Sequence, residues 1–70
     1  MMTLKQWMSE QGITQHQAAT LLGVSQPTLC RWINLVNAPD IENIINIRKV
    51  TGGAVTADSI VNEWEGVSNG

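Results

Sequence analysis

The segment from Gln26 to Arg31 carries two side chains that offer different hydrogen-bonding chemistry. The carboxamide of Gln26 presents a donor beside an acceptor, which is the arrangement that pairs with the edge of adenine. The guanidinium of Arg31 presents a fork of donors, which fits the two acceptors of guanine or the oxygens of a phosphate. Pro27 and Cys30 offer apolar contact, which suits a thymine methyl group. The segment therefore combines a donor–acceptor pair, a fork of donors and apolar surface within six residues.

A predicted third helix positions these side chains. Ser25 is a predicted N-cap, and Pro27 falls in the first turn, where its missing N–H costs nothing. At helical spacing the residues divide into an apolar side, with Leu29, Trp32 and Ile33, and an opposite side, with Pro27, Cys30, Arg31 and Asn34. The sequence thus predicts that the apolar side packs inward and that the candidate chemistry stays exposed.

Capping patterns predict an all-α chain of five short helices. Thr3 with Gln6, and Thr14 with Gln17, have the spacing of a capping box. The predicted helices begin near Thr3, Thr14, Ser25, the 37–40 segment and Thr56, and they end near Gly12, Gly23, Asn34, Thr51 and Gly66. Pro39 and Asp40 are expected in the first turn of helix 4. Four isoleucines and a valine give this helix a broad apolar face: Ile41, Ile44, Ile45, Ile47 and Val50. We therefore expect one domain over residues 1–66 and a frayed tail over residues 67–70.

The segment from Gln15 to Asn34, QHQAATLLGVSQPTLCRWIN, reads as two short helices joined through a glycine turn. It resembles the helix-turn-helix of the phage Cro and repressor superfamily. A second segment, TGGAVT at residues 51–56, lies between two predicted helices and is similar to the small Cro-like and YdaS-like regulators of prophages. The resemblance covers residues 13–64.

This resemblance implies an all-α, five-helix, lambda-repressor-like domain that binds a near-palindromic operator as a homodimer and acts as a transcriptional repressor. In that family helix 3 enters the major groove of double-stranded DNA. Carried over by position, the base contacts are Gln26, Pro27, Cys30 and Arg31. Gln15, at the positive end of helix 2, is placed to hold a phosphate, and Thr28, Asn34 and Asn37 are weaker phosphate candidates.

Some residues have a plainer interpretation beside the functional one. Gln26 and Arg31 could be ordinary solvated residues, and Cys30 could be a small buried hydrophobe. Leu35 and Val36 follow helix 3, where we expect little core, so they are candidate dimer contacts. Trp64 fits either the core or the dimer interface, because aromatic residues are common at both.

The charge balance is unusual for a DNA-binding protein. The chain has four basic and six acidic residues, for a net charge of −2. Residues 1–39 hold Lys5 and Arg31 against Glu10 alone, whereas residues 40–70 hold two basic and five acidic residues. We therefore expect DNA affinity to depend on helix N-termini and amides, with a shallow dependence on salt.

Other function classes lack the residues they require. The single histidine, His16, and the single cysteine, Cys30, leave no metal-ligand spacing, and no nucleophile–base pair or phosphate loop is present, so we expect no metal, no cofactor and no enzymatic activity. The lack of a signal peptide or a 20-residue apolar run predicts a cytoplasmic protein. The alternative function on the same fold is a toxin–antitoxin component or a protein-interaction adaptor, which the acidic half would favour.

Overall fold

The computed structural model describes the backbone of residues 2–69 and the side chains of residues 2–66. Within that part of the chain the structure is all-α, with five helices and no strand. The helices are α1 (Leu4–Gln11), α2 (Gln15–Leu22), α3 (Gln26–Ile33), α4 (Ile41–Val50) and α5 (Ala57–Asn69). The predicted all-α architecture of five helices is confirmed for these residues.

Local capping explains where the helices begin. The Thr3 hydroxyl accepts the N–H of Gln6 at 3.1 Å, and the Gln6 side chain accepts the N–H of Thr3 at 2.8 Å. Thr14 and Gln17 form the same box before α2, with distances of 3.2 and 2.9 Å. Each box satisfies two backbone donors that the helix itself leaves unpaired, so both helices begin where the sequence predicts.

Helix α4 is capped at the last residue of the segment 37–40, where the sequence predicts its start. The carboxylate of Asp40 accepts the backbone N–H of Asn43 at 3.0 Å and the side-chain amide of Asn43 at 2.8 Å, which makes Asp40 the N-cap. Pro39 therefore precedes the helix and is buried, and the expectation that it lies in the first turn is wrong.

The predicted helix end at Gly66 is also wrong. Helix α5 continues to Asn69, because Gly66 is not among the glycines with a left-handed backbone. By contrast, Gly12 and Gly23 have φ values of 65° and 70° and end α1 and α2 as expected. Gly70 and the side chains of residues 67–69 lie outside the described residues, so a frayed tail stays a prediction.

One core joins the helices. Helix α2 packs against α3 and α4, and α4 packs against α5. The buried apolar side chains are Leu4, Trp7, Met8, Ala18, Ala19, Leu22, Leu29, Trp32, Ile47, Val55 and Ile60. Of the four isoleucines expected on the apolar face of α4, only Ile47 is buried, and Ile41 is 74% exposed. The face of α4 that packs into the core is therefore narrower than the apolar face that its sequence predicts.

The turn between α4 and α5 is built around a buried threonine. The hydroxyl of Thr51 donates to the carbonyl of Ile47 at 2.8 Å and accepts the N–H of Val55 at 3.1 Å. These two bonds hold the chain in place while Gly52 and Gly53 take left-handed φ values of 65° and 87°. Val55 is fully buried as a result, and the TGG-x-V segment fixes how α5 joins the core.

Candidate nucleic-acid interface

A three-residue turn, Gly23 to Ser25, connects α2 to α3. Gly23 has a φ of 70°, and the N–H of Val24 reaches back to the carbonyl of Ala19 at 3.0 Å. This pattern closes the end of α2 and turns the chain at once into α3. Ala19 is buried on α2, the helix that packs against α3.

The N-terminus of α3 is held by its own side chains. The hydroxyl of Ser25 accepts the N–H of Thr28 at 3.3 Å and lies 2.8 Å from the hydroxyl of Thr28. On the inner side, Leu29 and Trp32 are buried in the core. Because a core anchors the inner side, the outer side has a fixed orientation relative to the rest of the domain.

The outer side of α3 carries the four predicted base-contact residues. Gln26, Pro27 and Arg31 are exposed, and Cys30 is half-buried. Within residues 2–66 the Arg31 side chain forms no ion pair and no hydrogen bond, so its five N–H donors are all available. The structure thus leaves this side accessible, and contact with DNA bases stays a prediction.

The side chains of Cys30 and Asn34, one helical turn apart, contact each other. The side-chain amide of Asn34 donates to the Cys30 sulfur at 3.2 Å. A thiol is a weak acceptor, so the contact orients the amide without holding it strongly. The predicted thymine contact of Cys30 and the predicted phosphate contact of Asn34 therefore depend on each other.

The remaining phosphate candidates lie at different places around the motif. Gln15 is half-buried at the first position of α2, where backbone N–H groups lack intrahelical partners. Thr28 is half-buried and shares its hydroxyl with Ser25, which leaves it fewer free bonds than the sequence indicates. Asn37 is exposed in the loop after α3. Their phosphate contacts stay predictions.

The candidate dimer residues differ in exposure. Val36 is 65% exposed, whereas Leu35 is half-buried, with a left-handed φ of 60°. Trp64 is half-buried and packs against the core, where it lines a small cavity with Trp32 and Ile60. A role for these three residues in a dimer stays a prediction, and only Val36 is largely open to solvent.

Sequence reasoning missed Asn46, which ties the motif to α4. Its side-chain amide donates to the carbonyl of Leu22 at 2.8 Å, across 24 residues of sequence and in a partly buried setting. Leu22 is the last residue of α2, so this bond satisfies a carbonyl that the helix leaves unpaired and fixes the turn against α4. The signal in the sequence was a polar residue directly beside Ile47, the isoleucine that enters the core.

The electrostatics of the motif depend on very few cations. All four basic side chains are exposed, and only Arg31 belongs to α2 or α3. The N-termini of α2 and α3 add partial positive charge beside this one cation, because the first N–H groups of a helix lack intrahelical partners. Attraction of an anionic backbone by these N-termini stays a prediction.

A helix-turn-helix family model matches residues 4–56, from α1 to the turn before α5. The chain belongs to the Cro/repressor helix-turn-helix superfamily. This helix-turn-helix protein is accordingly a DNA-binding transcription regulator, and its family is not an enzyme family. Neither a curated protein nor a solved structure is similar enough to count as a match. In the described part of the chain, no helix has both the length and the apolar character needed to cross a bilayer.

Proposed function

We propose that this regulator is a Cro-like repressor of a phage or prophage, of the small Cro-like or YdaS-like type. It binds a near-palindromic operator as a dimer in the bacterial cytoplasm and represses by blocking access of polymerase. The observation that carries the proposal is the exposed outer side of α3, which holds Gln26 and Arg31 on a helix anchored by Leu29 and Trp32. Helix α3 enters the major groove, where each base pair presents a distinct pattern.

In this proposal Gln26 pairs with an adenine and Arg31 with a guanine. Pro27 and Cys30 contact thymine methyl groups, which need only apolar surface. Gln15 and the N-terminal N–H groups of α2 hold a phosphate, and Thr28, Asn34 and Asn37 add weaker phosphate contacts. These contacts position the domain on the duplex, and the α3 contacts select the sequence.

The test is a double substitution on α3, Gln26→Ala with Arg31→Ala. The operator is first selected from a pool of randomised duplexes, and affinity is measured by fluorescence anisotropy at fixed salt. Losing two bidentate contacts should weaken specific binding by at least about 30-fold. The melting curve should change little, because both side chains are exposed and make no internal contacts.

A matched control is Lys5→Ala with Gln11→Ala on α1. It removes the same charge and the same carboxamide from exposed positions outside the helix-turn-helix. Equal loss of affinity in the two double variants would contradict base readout by α3.

The salt dependence of binding separates the two roles of Arg31, contact with a guanine and contact with a phosphate. If Arg31 contacts a phosphate, Arg31→Ala lowers the slope of log K against log salt by about 1.

The second candidate is a protein-interaction adaptor or toxin–antitoxin component on the same fold. The excess of acidic over basic residues in the segment 40–70 and the exposed Val36 favour this second function. Selection from the duplex pool distinguishes the two, because an adaptor would enrich no sequence.

A further inference from the structure

Three of the exposed large apolar side chains belong to α4 and α5, and one of them, Ile45, lines a groove between these helices. Ile41 is 74% exposed, Ile45 is 43% exposed and Val61 is 50% exposed. Ile41 and Ile45 are four residues apart, so they share one side of α4. Val61 follows Ala57 by four residues, which places it one turn further along the side of α5 that borders the groove. Solitary exposed apolar residues are ordinary, but three that helical spacing places on the sides of α4 and α5 bordering one groove indicate a contact surface.

We propose that this surface, formed by α4 and the start of α5, is where two copies of the chain pair. We call it the α4 surface, and define it by Ile41, Glu42, Ile45, Arg48 and the groove beside them. The inference rests on the proposed function, because it says how the proposed dimer is assembled. It differs from the dimer contacts expected at Leu35, Val36 and Trp64.

The first argument is shape. The groove has a volume of about 390 Å³ and is lined by Ile44, Ile45, Arg48, Thr56, Ala57 and Asp58. Ile41 stands one helical turn away on the same helix and is the most exposed of the large apolar side chains described. A two-fold interface needs a projection and a matching recess on each copy, since the same patch meets itself. Ile41 of one copy can fill the groove of the other, and the reverse contact follows by symmetry.

The second argument is charge. Glu42 lies three residues before Ile45, and Arg48 lies three residues after it, so the central isoleucine has an acid on one side and a base on the other. Both charged side chains are exposed, and neither forms an ion pair within residues 2–66. If two α4 helices pack antiparallel with Ile45 on the two-fold axis, Glu42 of each copy meets Arg48 of the other. The opposed helix dipoles favour the same antiparallel arrangement.

The third argument is distance. Helix α2 packs against both α3 and α4, so α3 is set back from the α4 surface by the width of α2. Packed helices lie about 8–10 Å apart, so the steps from α3 to α2 and from α2 to α4 each add one such spacing. Half a spacing more leads from α4 to the two-fold axis of the dimer, which places α3 up to roughly 20–25 Å from that axis. Entry into successive major grooves requires each α3 to lie about 17 Å from the axis. Pairing through α4 therefore leaves room for the operator spacing.

The first test measures self-association in the absence of DNA by sedimentation equilibrium. Protein concentrations run from tens of micromolar to about 1 mM, because a contact of this size gives weak association. Ile41→Ser should raise the dimer dissociation constant by about tenfold. Val36→Ser is the matched control, because Val36 is 65% exposed and belongs to the other candidate surface. An effect of Val36→Ser with none of Ile41→Ser would assign the dimer to the other surface and overturn the inference.

A charge exchange tests the pairing itself. Glu42→Arg and Arg48→Glu, each alone, place like charges opposite each other and should weaken the dimer about tenfold at low salt. An equal mixture of the two variants restores both ion pairs in the heterodimer, so mixing should recover association. A monomer at every concentration, or no recovery on mixing, would also overturn the inference. Circular dichroism melts of each variant check that the exposed substitutions leave the fold unchanged.

DNA binding separates this inference from the function it rests on. If the Ile41→Ser protein still binds a single half-site while losing dimers, both proposals hold. If the wild-type chain forms the α4 dimer but selects no duplex from the pool, the proposed function fails and the surface stands. If the wild-type chain binds its operator only as a monomer, the α4 surface fails and DNA recognition stands.

Discussion

Helices α2 and α3 end in the same backbone turn, built from different residues. After α2, Gly23 takes a left-handed φ of 70°, and the N–H of Val24 bonds the carbonyl of Ala19 at 3.0 Å. After α3, Leu35 takes a left-handed φ of 60°, and the N–H of Val36 bonds the carbonyl of Arg31 at 2.8 Å. The hydrogen bonds match, but the first turn uses glycine and the second uses leucine.

The use of glycine in one turn and leucine in the other gives the two turns different backbone strain. A β-carbon added to Gly23 would meet no atom within 4 Å, so glycine is favoured there by its backbone conformation and not by crowding. Leu35 is the one non-glycine residue with a positive φ in the described chain, and such a conformation costs roughly 1–2 kcal/mol. Val24 packs on the core, whereas Val36 is 65% exposed. The first turn is unstrained and sets the direction of α3, whereas the second tolerates strain while leading the chain to α4.

The largest effect is expected from Gly23→Ala. The new β-carbon forces a left-handed conformation on alanine, which should lower the free energy of unfolding by about 1–2 kcal/mol. Urea denaturation measures the change. Gly66→Ala is the control, because Gly66 lies inside α5 without a left-handed φ, and alanine there should stabilise by about 0.5–1 kcal/mol. If both alanines act in the same direction, backbone conformation is not what selects Gly23.

A smaller effect is expected at Leu35, and its sign depends on the replacement. Leu35→Ala loses half-buried apolar surface and keeps the strain, whereas Leu35→Gly loses the same surface and relieves the strain. The glycine variant should therefore be more stable than the alanine variant by about 1 kcal/mol, once the higher entropy of unfolded glycine is included. Paired urea titrations measure this order. An alanine variant at least as stable as the glycine variant would show that the turn after α3 is unstrained.

The smallest effect concerns Glu63, which borders the cavity beneath the end of α3 together with Trp32 and Ile33. Desolvation by burial raises the pKa of Glu63 above its usual range. The folded state therefore holds this proton more tightly than the unfolded state, so the ionised carboxylate slightly opposes folding at neutral pH. Glu63→Gln should melt slightly higher than wild type at pH 7, and the gap should close as the pH falls below the usual glutamate range.

Thermal melts at pH 7 and pH 4 measure that gap. Glu65→Gln serves as the control, since it removes one carboxylate from an exposed position of the same helix. A gap that persists unchanged at pH 4 would mean that the glutamine acts through packing and not through the proton. The expected shift is small because Glu63 keeps much of its contact with water.

Most of the fold followed from local signals. Thr3, Thr14 and Ser25 cap helices through bonds to residues three positions away, and such bonds depend on spacing alone. The two sides of α3 also followed from spacing, because helical periodicity separates apolar from polar residues before any packing occurs. The accessibility of Gln26 and Arg31 is a consequence of that separation.

The errors have a common cause, which is that a residue type does not reveal its tertiary partner. Gly66 can end a helix or continue one, and only the conformation adopted in the folded chain distinguishes the two. The isoleucines of α4 are equally apolar, yet Ile47 enters the core and Ile41 lies in solvent.

The sequence by itself determined the helix starts, the glycine turn of the motif and the polar side of α3, because hydrogen bonds and periodicity over a few residues decide them. Only the tertiary structure decided that the Asn46 amide bonds the last carbonyl of α2 and that the rest of the chain leaves Ile41 and Ile45 exposed. Those features arise where segments distant in sequence meet, and the packing of the whole chain selects which contacts form there.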